Sequence, residues 1–224
     1  MLRLAALARA SSCLKMQQNS VRLPRLPVSH MTREAFVLVT GFGPYEEILE
    51  NPSRALAQEL ELRPPPGVRV AGRELPVSFA AAPREVERVL SQLGATPTTL
   101  LGLGMQRKPW FRLERLAHGQ FDTQRFDNDG MTPPREPFEL GPTLETSLDL
   151  VSLAQVLRDA GAKDVRISED AGGYVCERVY YELLRASRRL SVPALFLHVP
   201  PMWAVPVAAQ FPIVSALVGA LGKS

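Results

Sequence analysis

The chain has 224 residues, of which 46% are hydrophobic and 22% charged, a composition that excludes a wholly disordered protein. Its two cysteines, Cys13 and Cys176, are too few for a disulfide framework. A formal net charge of +3 would suit a nucleic-acid-binding protein only if the positive charge lay on the folded part of the chain.

The excess positive charge belongs instead to the start of the chain. Residues 1–33 carry six basic residues and no acidic one, which leaves 20 basic against 23 acidic residues in the remainder. We therefore expect a basic leader without fixed structure at 1–34, one domain at 35–224 and no nucleic-acid partner. The leader is typical of a mitochondrial transit segment, but an extension that precedes a start at Met31 fits equally well. The location is thus predicted to be cytoplasmic, or mitochondrial if the leader is a transit segment.

Strand and helix patterns alternate through the body of the chain. The patterns predict strands at 36–40, 75–79, 98–104, 111–117, 164–168 and 194–199, and helices at 51–61, 83–93, 147–160, 172–189 and 213–222. Residues 119–146 are rich in Asp, Gly and Pro and indicate a long surface loop. The alternation predicts a single three-layer α/β/α domain around a mostly parallel or mixed sheet. Prolines divide the uncharged stretch 191–222, so no membrane span is expected.

The first strand ends in Gly41-Phe42-Gly43, which invites comparison with a dinucleotide-binding loop. That fingerprint requires a small residue where this chain has Glu46, and Glu46 and Glu47 would repel a pyrophosphate. The three histidines and the one cysteine of the body show no metal-ligand spacing. The sequence therefore predicts neither a cofactor nor a metal.

Cys176 lies about one turn into the helix predicted at 172–189. The start of a helix favours a thiolate and offers free amides that can stabilise an oxyanion. The alternative is an inert cysteine packed beneath Tyr174 and Tyr180. If strand 164–168, the helix and strand 194–198 form a β-α-β unit, the two strands run parallel, and Cys176 and His198 meet at one sheet edge.

A thiol beside an imidazole can act as a nucleophile, and an acidic group would orient the ring. Spacing alone leaves four candidates for this acid, namely Glu114, Asp122, Asp127 and Asp170.

Four motifs in this order resemble the pyroglutamyl-peptidase I family of cysteine peptidases over about residues 35–222. They are Gly41-Phe-Gly-Pro-Tyr45 with Asn51-Pro-Ser53, Glu114 in its strand, Ser168-Glu-Asp-Ala-Gly-Gly-Tyr-Val-Cys176, and Phe196-Leu-His-Val-Pro200. The His-Val-Pro-Pro ending is most similar to a diverged animal paralogue. The resemblance implies a phosphorylase/hydrolase-like sheet and an exopeptidase that removes N-terminal pyroglutamate from peptides without a cofactor.

The resemblance also implies roles for individual residues. Cys176 would be the nucleophile, His198 the base and Glu114 the acid that orients it. Phe42, Tyr45, Asn51 and Arg125 would bind the substrate, with the two aromatic residues as walls for the lactam ring and Arg125 near the oxyanion. The partner is then a pyroglutamyl peptide; the sequence makes no prediction of oligomeric state.

Several residues depart from the family pattern. Tyr45 replaces a phenylalanine, Glu46 and Glu47 replace glycines, and Glu177 replaces an asparagine and adds a charge that opposes thiolate formation. These departures leave open an alternative function, a paralogue with little or no activity that binds peptides or proteins. A nucleotide-handling protein is the third hypothesis.

Overall fold

A computed structural model describes residues 34–121, 123–133 and 141–223 of the chain. The predicted leader, apart from Glu34, lies outside the described residues. The described elements in chain order are β1 (Ala35–Phe42), α1 (Pro52–Leu62), β2 (Val68–Leu75), α2 (Ala81–Gln92), β3 (Thr99–Met105), β4 (Phe111–Glu114), β5 (Leu116–Ala117), β6 (Leu144–Glu145), α3 (Leu150–Asp159), β7 (Val165–Ser168), α4 (Val175–Leu190), β8 (Ala194–Val199) and α5 (Val207–Leu221).

Six strands form a mixed sheet in the order β2-β1-β3-β8-β4-β7. Strands β1, β2, β3 and β8 are parallel, whereas β4 is antiparallel to β8 and parallel to β7. Helices α1, α3 and α5 supply the core on one face of this sheet, and α2 and α4 supply it on the other. The predicted three-layer α/β/α fold is confirmed. Because both faces are covered, the central strands are apolar almost throughout.

Helix α1 begins as the sequence predicts. The side chain of Asn51 accepts a hydrogen bond from the amide of Ser53, and Pro52 occupies the first helical position, where its missing N–H costs nothing. This cap fixes the end of the loop that joins β1 to α1. Residues of this loop line a cleft at the end of β1.

The strand predicted at 75–79 is wrong, since β2 ends at Leu75. Strand β2 lies at the sheet edge and carries exposed Arg69. This polar residue interrupts the apolar run, so a search for apolar strands does not find β2. Val77 and Phe79 pack into the core from a loop, so their burial resembles that of a strand without being one.

The predicted β-α-β unit is also wrong. Strand β7 runs antiparallel to β8, and β4 lies between them. Ser168 and Phe196 both pair with Glu114, so β7 ends level with the middle of β8. Residues 169–174 then turn the chain to the start of α4, with Gly172 and Gly173 at φ of 93° and 57°, which glycine adopts readily.

The apolar end of the chain forms β8 and α5. Helix α5 begins at Val207, six residues before the predicted start, and includes Pro212. It packs Ile213, Val214 and Leu217 against the sheet. Across the described ranges, no helix combines the length and the hydropathy that a membrane crossing requires.

Candidate active site

A cleft of about 610 Å³, open to solvent, lies where β1 and β3 end and α4 begins. Cys176 lines this cleft together with all four residues expected to bind substrate, and the full lining is Phe42, Tyr45, Ile48, Asn51, Val77, Met105, Gln106, Arg107, Arg125, Tyr174, Val175 and Cys176. The lining is thus largely aromatic and aliphatic with a few polar side chains, as is typical of small-molecule sites.

Cys176 is the second residue of α4, and the residue as a whole is half-buried. Its sulfur packs against Gly104 so closely that a Cβ at this glycine would lie 3.0 Å from Sγ. Gly104 is the residue that pairs with His198 across the parallel β3–β8 ladder. Because Gly104 has no side chain, the sulfur of Cys176 fits against β3 at the residue that pairs with His198 of β8.

His198 and Glu114 form a buried pair on the α4 face of the sheet. Nδ1 of His198 lies 2.7 Å from Oε1 of Glu114, and the two side chains are 5% and 0% exposed. Because a carboxylate oxygen only accepts, Nδ1 carries the proton, which leaves Nε2 as the basic nitrogen. No hydrogen bond joins the described Sγ of Cys176 to the ring.

Arg112 belongs to the same cluster. Its Nε lies 2.6 Å from Oε1 of Glu114, the oxygen that also binds the histidine, and one terminal nitrogen lies 3.4 Å from Nδ1 of His198. Oε2 of Glu114 is buried and has no hydrogen-bond partner among the described residues. The guanidinium thus supplies a positive counter-charge to this fully buried carboxyl group, whose burial without a partner would be costly.

The surroundings of Cys176 favour the neutral thiol. Burial in the protein, followed by the negative charge of Glu114, raises the pKa of the thiol to about 12, although Arg112 and Arg125 oppose this shift. The expected lowering by the start of α4 is therefore overcome by desolvation. Proton transfer from Sγ to a neighbouring base must accompany any attack by this sulfur at neutral pH.

The start of α4 supplies donors for an oxyanion. Tyr174 precedes the helix in an extended conformation, and the first amides of a helix have no partner within it. Arg125 extends over this end of the cleft, with its guanidinium carbon 4.8 Å from the centre of the Tyr174 ring and 5.2 Å from that of Tyr45. It also donates to the Tyr45 hydroxyl at 2.8 Å.

Glu46 occupies a tight turn at the cleft mouth. Tyr45 and Ile48 close this turn with two backbone hydrogen bonds, and Glu46 has a φ of 51°, a conformation in which glycine is the usual residue. Its carboxylate compensates by accepting from the Tyr45 hydroxyl at 2.6 Å and by pairing with Arg107 at 2.7 Å and Arg125 at 3.3 Å. A charged residue thus replaces the glycine expected from the resemblance and ties three loops together.

The candidate acids differ in their hydrogen-bond partners. Glu114 alone of the described candidates bonds to His198. Asp127 is buried and accepts from the amides of Phe79, Asp129 and Met131, and Asp170 accepts from the amide of Gly172, so both organise loops. Asp122 lies outside the described residues.

Glu177 has a different role from the one expected of it. Its Oε1 accepts hydrogen bonds from the amides of His118 and Gly119, the latter at 2.9 Å, so it anchors the chain that follows β5. Its charge does raise the pKa of the Cys176 thiol, but this contribution is smaller than those of burial and of Glu114. Asn51 likewise lines the cleft mainly as a helix cap, with its Nδ2 donating to the Gly43 carbonyl at 3.1 Å.

The sequence reasoning missed Arg112 and Tyr174. Arg112 stands two residues before Glu114 in one strand, so alternation alone places both on one face. Tyr174 packs its ring 5.5 Å from that of Tyr45, and its hydroxyl donates to the Phe126 carbonyl at 2.7 Å. In the described part of the chain, no group of three or more acidic, histidine or cysteine side chains is arranged to hold a metal.

Comparison with known proteins gives a consistent result. The model of the family described as pyroglutamyl peptidase matches residues 35–212. A pyrrolidone-carboxylate peptidase of Deinococcus radiodurans is 39% identical over 179 residues, which cover 77% of this chain and 81% of that protein. The protein of the same name from Thermococcus litoralis is 33% identical over 171 residues, covering 73% and 76% of the two chains.

Solved structures give the same picture. The pyrrolidone carboxyl peptidase from Thermococcus litoralis superposes with a TM-score of 0.76 at 26% identity, over 84% of this chain and 93% of that one. The enzyme from Pyrococcus furiosus, at 24% identity and a TM-score of 0.77, covers 84% and 98% of the two chains and supports the fold alone. These comparisons do not bear on the closeness to an animal paralogue, which stays a prediction.

Proposed function

The chain belongs to the pyroglutamyl peptidase family, and from this premise we propose that it is a cysteine exopeptidase that hydrolyses the N-terminal pyroglutamyl residue of peptides. One observation carries the proposal: Cys176 lines the cleft, and its sulfur packs against Gly104, the strand partner of His198, which in turn bonds to Glu114. The compartment in which the enzyme acts stays a prediction.

The first half of the reaction forms a thioester. Sγ of Cys176 attacks the carbonyl carbon that links pyroglutamate to the next residue, while the thiol proton passes to Nε2 of His198. The oxyanion is stabilised by the first amides of α4 and by the charge of Arg125. The carbon–nitrogen bond then breaks, and the imidazolium gives its proton to the leaving amine.

The second half restores the enzyme. His198 takes a proton from water, the resulting hydroxide attacks the thioester carbon, and the sulfur leaves and recovers the proton from the imidazolium. Glu114 holds the ring in the tautomer that leaves Nε2 free throughout. Every proton is accounted for by Cys176, His198 and water.

The flat lactam ring would lie between aromatic walls, which are Phe42, Tyr45 and Tyr174. Pyroglutamate has no free amine, so its pocket needs aromatic walls and a few hydrogen bonds rather than an ion pair. Burial, and then the hydrogen bond to Glu46, raise the pKa of the Tyr45 hydroxyl, which therefore stays protonated at neutral pH. The alternative of an inactive binding protein is less well supported because nucleophile, base and acid are all present.

Hydrolysis of pyroglutamyl-aminomethylcoumarin by the full-length chain under reducing conditions tests the proposal. We expect turnover by the wild type and by Cys13→Ser, and none by Cys176→Ala. Prolyl-aminomethylcoumarin, which lacks the lactam carbonyl, should resist cleavage. Absence of turnover by the wild type, or undiminished turnover by Cys176→Ala, would overturn the proposal and leave the binding function.

A further inference from the structure

A second groove of about 800 Å³ lies beside the cleft, between the turn of residues 45–50 and the turn of residues 200–206. Ile48, Met105 and Arg107 line both the cleft and this groove, so they form the boundary that a bound chain would cross. The other lining residues are Glu47, Glu50, Pro52, Pro201, Met202 and Trp203. None of them takes part in the chemistry described above.

The two walls of the groove are fixed. The carbonyl of Pro201 accepts from the amides of Ala204 and Val205, both at 3.0 Å, and buried Gln210 donates to the carbonyls of Pro200 and Val205 at 3.0 and 2.6 Å. Trp203 therefore stands on a rigid turn with 77% of its surface exposed. The opposite wall is the hydrogen-bonded turn that includes Glu46.

Some of the charged side chains that line the groove have ion-pair partners among the described residues, and others do not. Arg107 is paired with Glu46, whereas Glu47 and Glu50 are exposed and make no ion pair among the described residues. An exposed indole face attracts cations, and two free carboxylates strengthen that attraction. The groove thus suits a side chain that combines an apolar stem with a positive end.

We propose that this groove binds the substrate peptide beyond the cleaved bond and selects a lysine or arginine within the first three residues after pyroglutamate. The inference rests on the proposed function, because the cleft must hold the pyroglutamyl ring for the rest of the peptide to reach the groove. Three extended residues span about 10 Å, and the cleft and the groove share Ile48 and Met105 as lining residues, so a peptide that leaves the cleft enters the groove directly. The basic side chain stacks on Trp203 while its charge faces Glu47 and Glu50.

Competition between peptides in one reaction tests this selectivity. The parent peptide is pyroglutamyl-Ala-Ala-Ala-amide, and each alanine in turn is replaced by arginine or by glutamate. At one position or more, we expect kcat/KM for the arginine peptide to exceed that for the glutamate peptide by about fivefold or more. The ratio should fall as ionic strength rises, because exposed charges are screened.

Variants assign the effect to the groove. The double variant Glu47→Gln/Glu50→Gln and the single variant Trp203→Ala should each bring the arginine-to-glutamate ratio towards one, with circular dichroism to verify the fold. Glu34→Gln removes one negative charge from an exposed residue at the opposite end of β1 that makes no ion pair with the described part of the chain, and it should leave the ratio unchanged.

Three outcomes would overturn the proposal. The first is equal cleavage of arginine and glutamate peptides by a wild-type enzyme that hydrolyses pyroglutamyl-aminomethylcoumarin. The second is a ratio that survives in both groove variants. The third is an altered oligomeric state of Trp203→Ala with unchanged selectivity, which would assign the groove to a second copy of the chain. Failure to cleave the coumarin substrate would instead refute the proposed function.

Discussion

Arg112 and His198 face each other across the antiparallel β4–β8 pair, and both contact Oε1 of Glu114. The carboxylate oxygen that orients the imidazole is therefore also held by the guanidinium. Arg112 acts on the base through Glu114, as a positioning residue.

Replacing Arg112 by methionine should lower kcat more than it changes KM. Without the guanidinium, the buried Glu114 carboxylate loses its counter-charge and one hydrogen bond at Oε1, so it holds the His198 ring less firmly. We expect kcat to fall by about tenfold or more, because small displacements of a catalytic group are costly. Both parameters are measured with pyroglutamyl-aminomethylcoumarin at neutral pH.

Arg112→Lys is the matched control, because it keeps the charge and loses the planar fork. Its kcat should lie between those of the methionine variant and the wild type. Equal kcat values for the methionine variant and the wild type would mean that Arg112 does not position Glu114.

Alkylation of Cys176 in the free enzyme should be slow and steeply dependent on pH. With the pKa of the thiol raised to about 12 by burial, the thiolate fraction grows about tenfold per pH unit through the neutral and mildly alkaline range. The iodoacetamide rate, measured in a Cys13→Ser background, should therefore rise from pH 7 to about pH 10 without a plateau. A plateau below about pH 9 would indicate a preformed thiolate–imidazolium pair instead.

Much of the fold was predictable because its strands are long and apolar. Strands β1, β3 and β8 are buried on both faces and have continuous apolar sequences, and the α1 cap is explicit in Asn51-Pro52. Edge strand β2 was missed because exposed residues interrupt its pattern. The direction of β7 was missed because the sequence of a four-residue strand carries no information on whether its neighbours run parallel or antiparallel.

Cys176 and His198 lie at one edge of the sheet, but not for the reason that the sequence suggested, since β7 runs antiparallel to β8. They meet because α4 begins beside Gly104, the residue of β3 that pairs with His198. The roles expected of these residues stay predictions. Motif resemblance selected Glu114, which spacing alone could not do. The high pKa of the thiol was not predictable, since it depends on burial that only the packed structure gives.

Gly104→Ala should strongly reduce activity while the protein still folds. The added methyl group would lie 2.9 Å from the Phe196 ring and 3.0 Å from Sγ of Cys176, closer than such atoms pack, so the sulfur or the ring must move. We expect kcat to fall by about 100-fold or more, because a displacement near 1 Å at the nucleophile is that costly. Gly219→Ala, whose methyl group would meet Pro65 at an ordinary 3.6 Å, should keep full activity. Equal activity of the two variants would refute the packing argument.

Titration of Glu177 should affect the stability of the fold rather than the rate of the reaction. Burial raises the pKa of its carboxyl above the unfolded value, so the folded state binds the proton more tightly. The free energy of unfolding therefore loses a contribution as pH rises from the unfolded value, near 4.5, through the raised folded value. Glu177→Gln cannot titrate, so the stability of this variant relative to the wild type should increase with pH over that window.

Glu177→Ala separates this titration from the anchoring of the loop. It leaves the amides of His118 and Gly119 without their acceptor, which should cost about 1–3 kcal/mol at every pH. Urea unfolding of the three proteins at pH 4 to 8 provides the comparison. If the difference between Glu177→Gln and the wild type is constant over this range, the carboxyl does not titrate differently in the folded and unfolded states, and its charge is fully stabilised by the two amides.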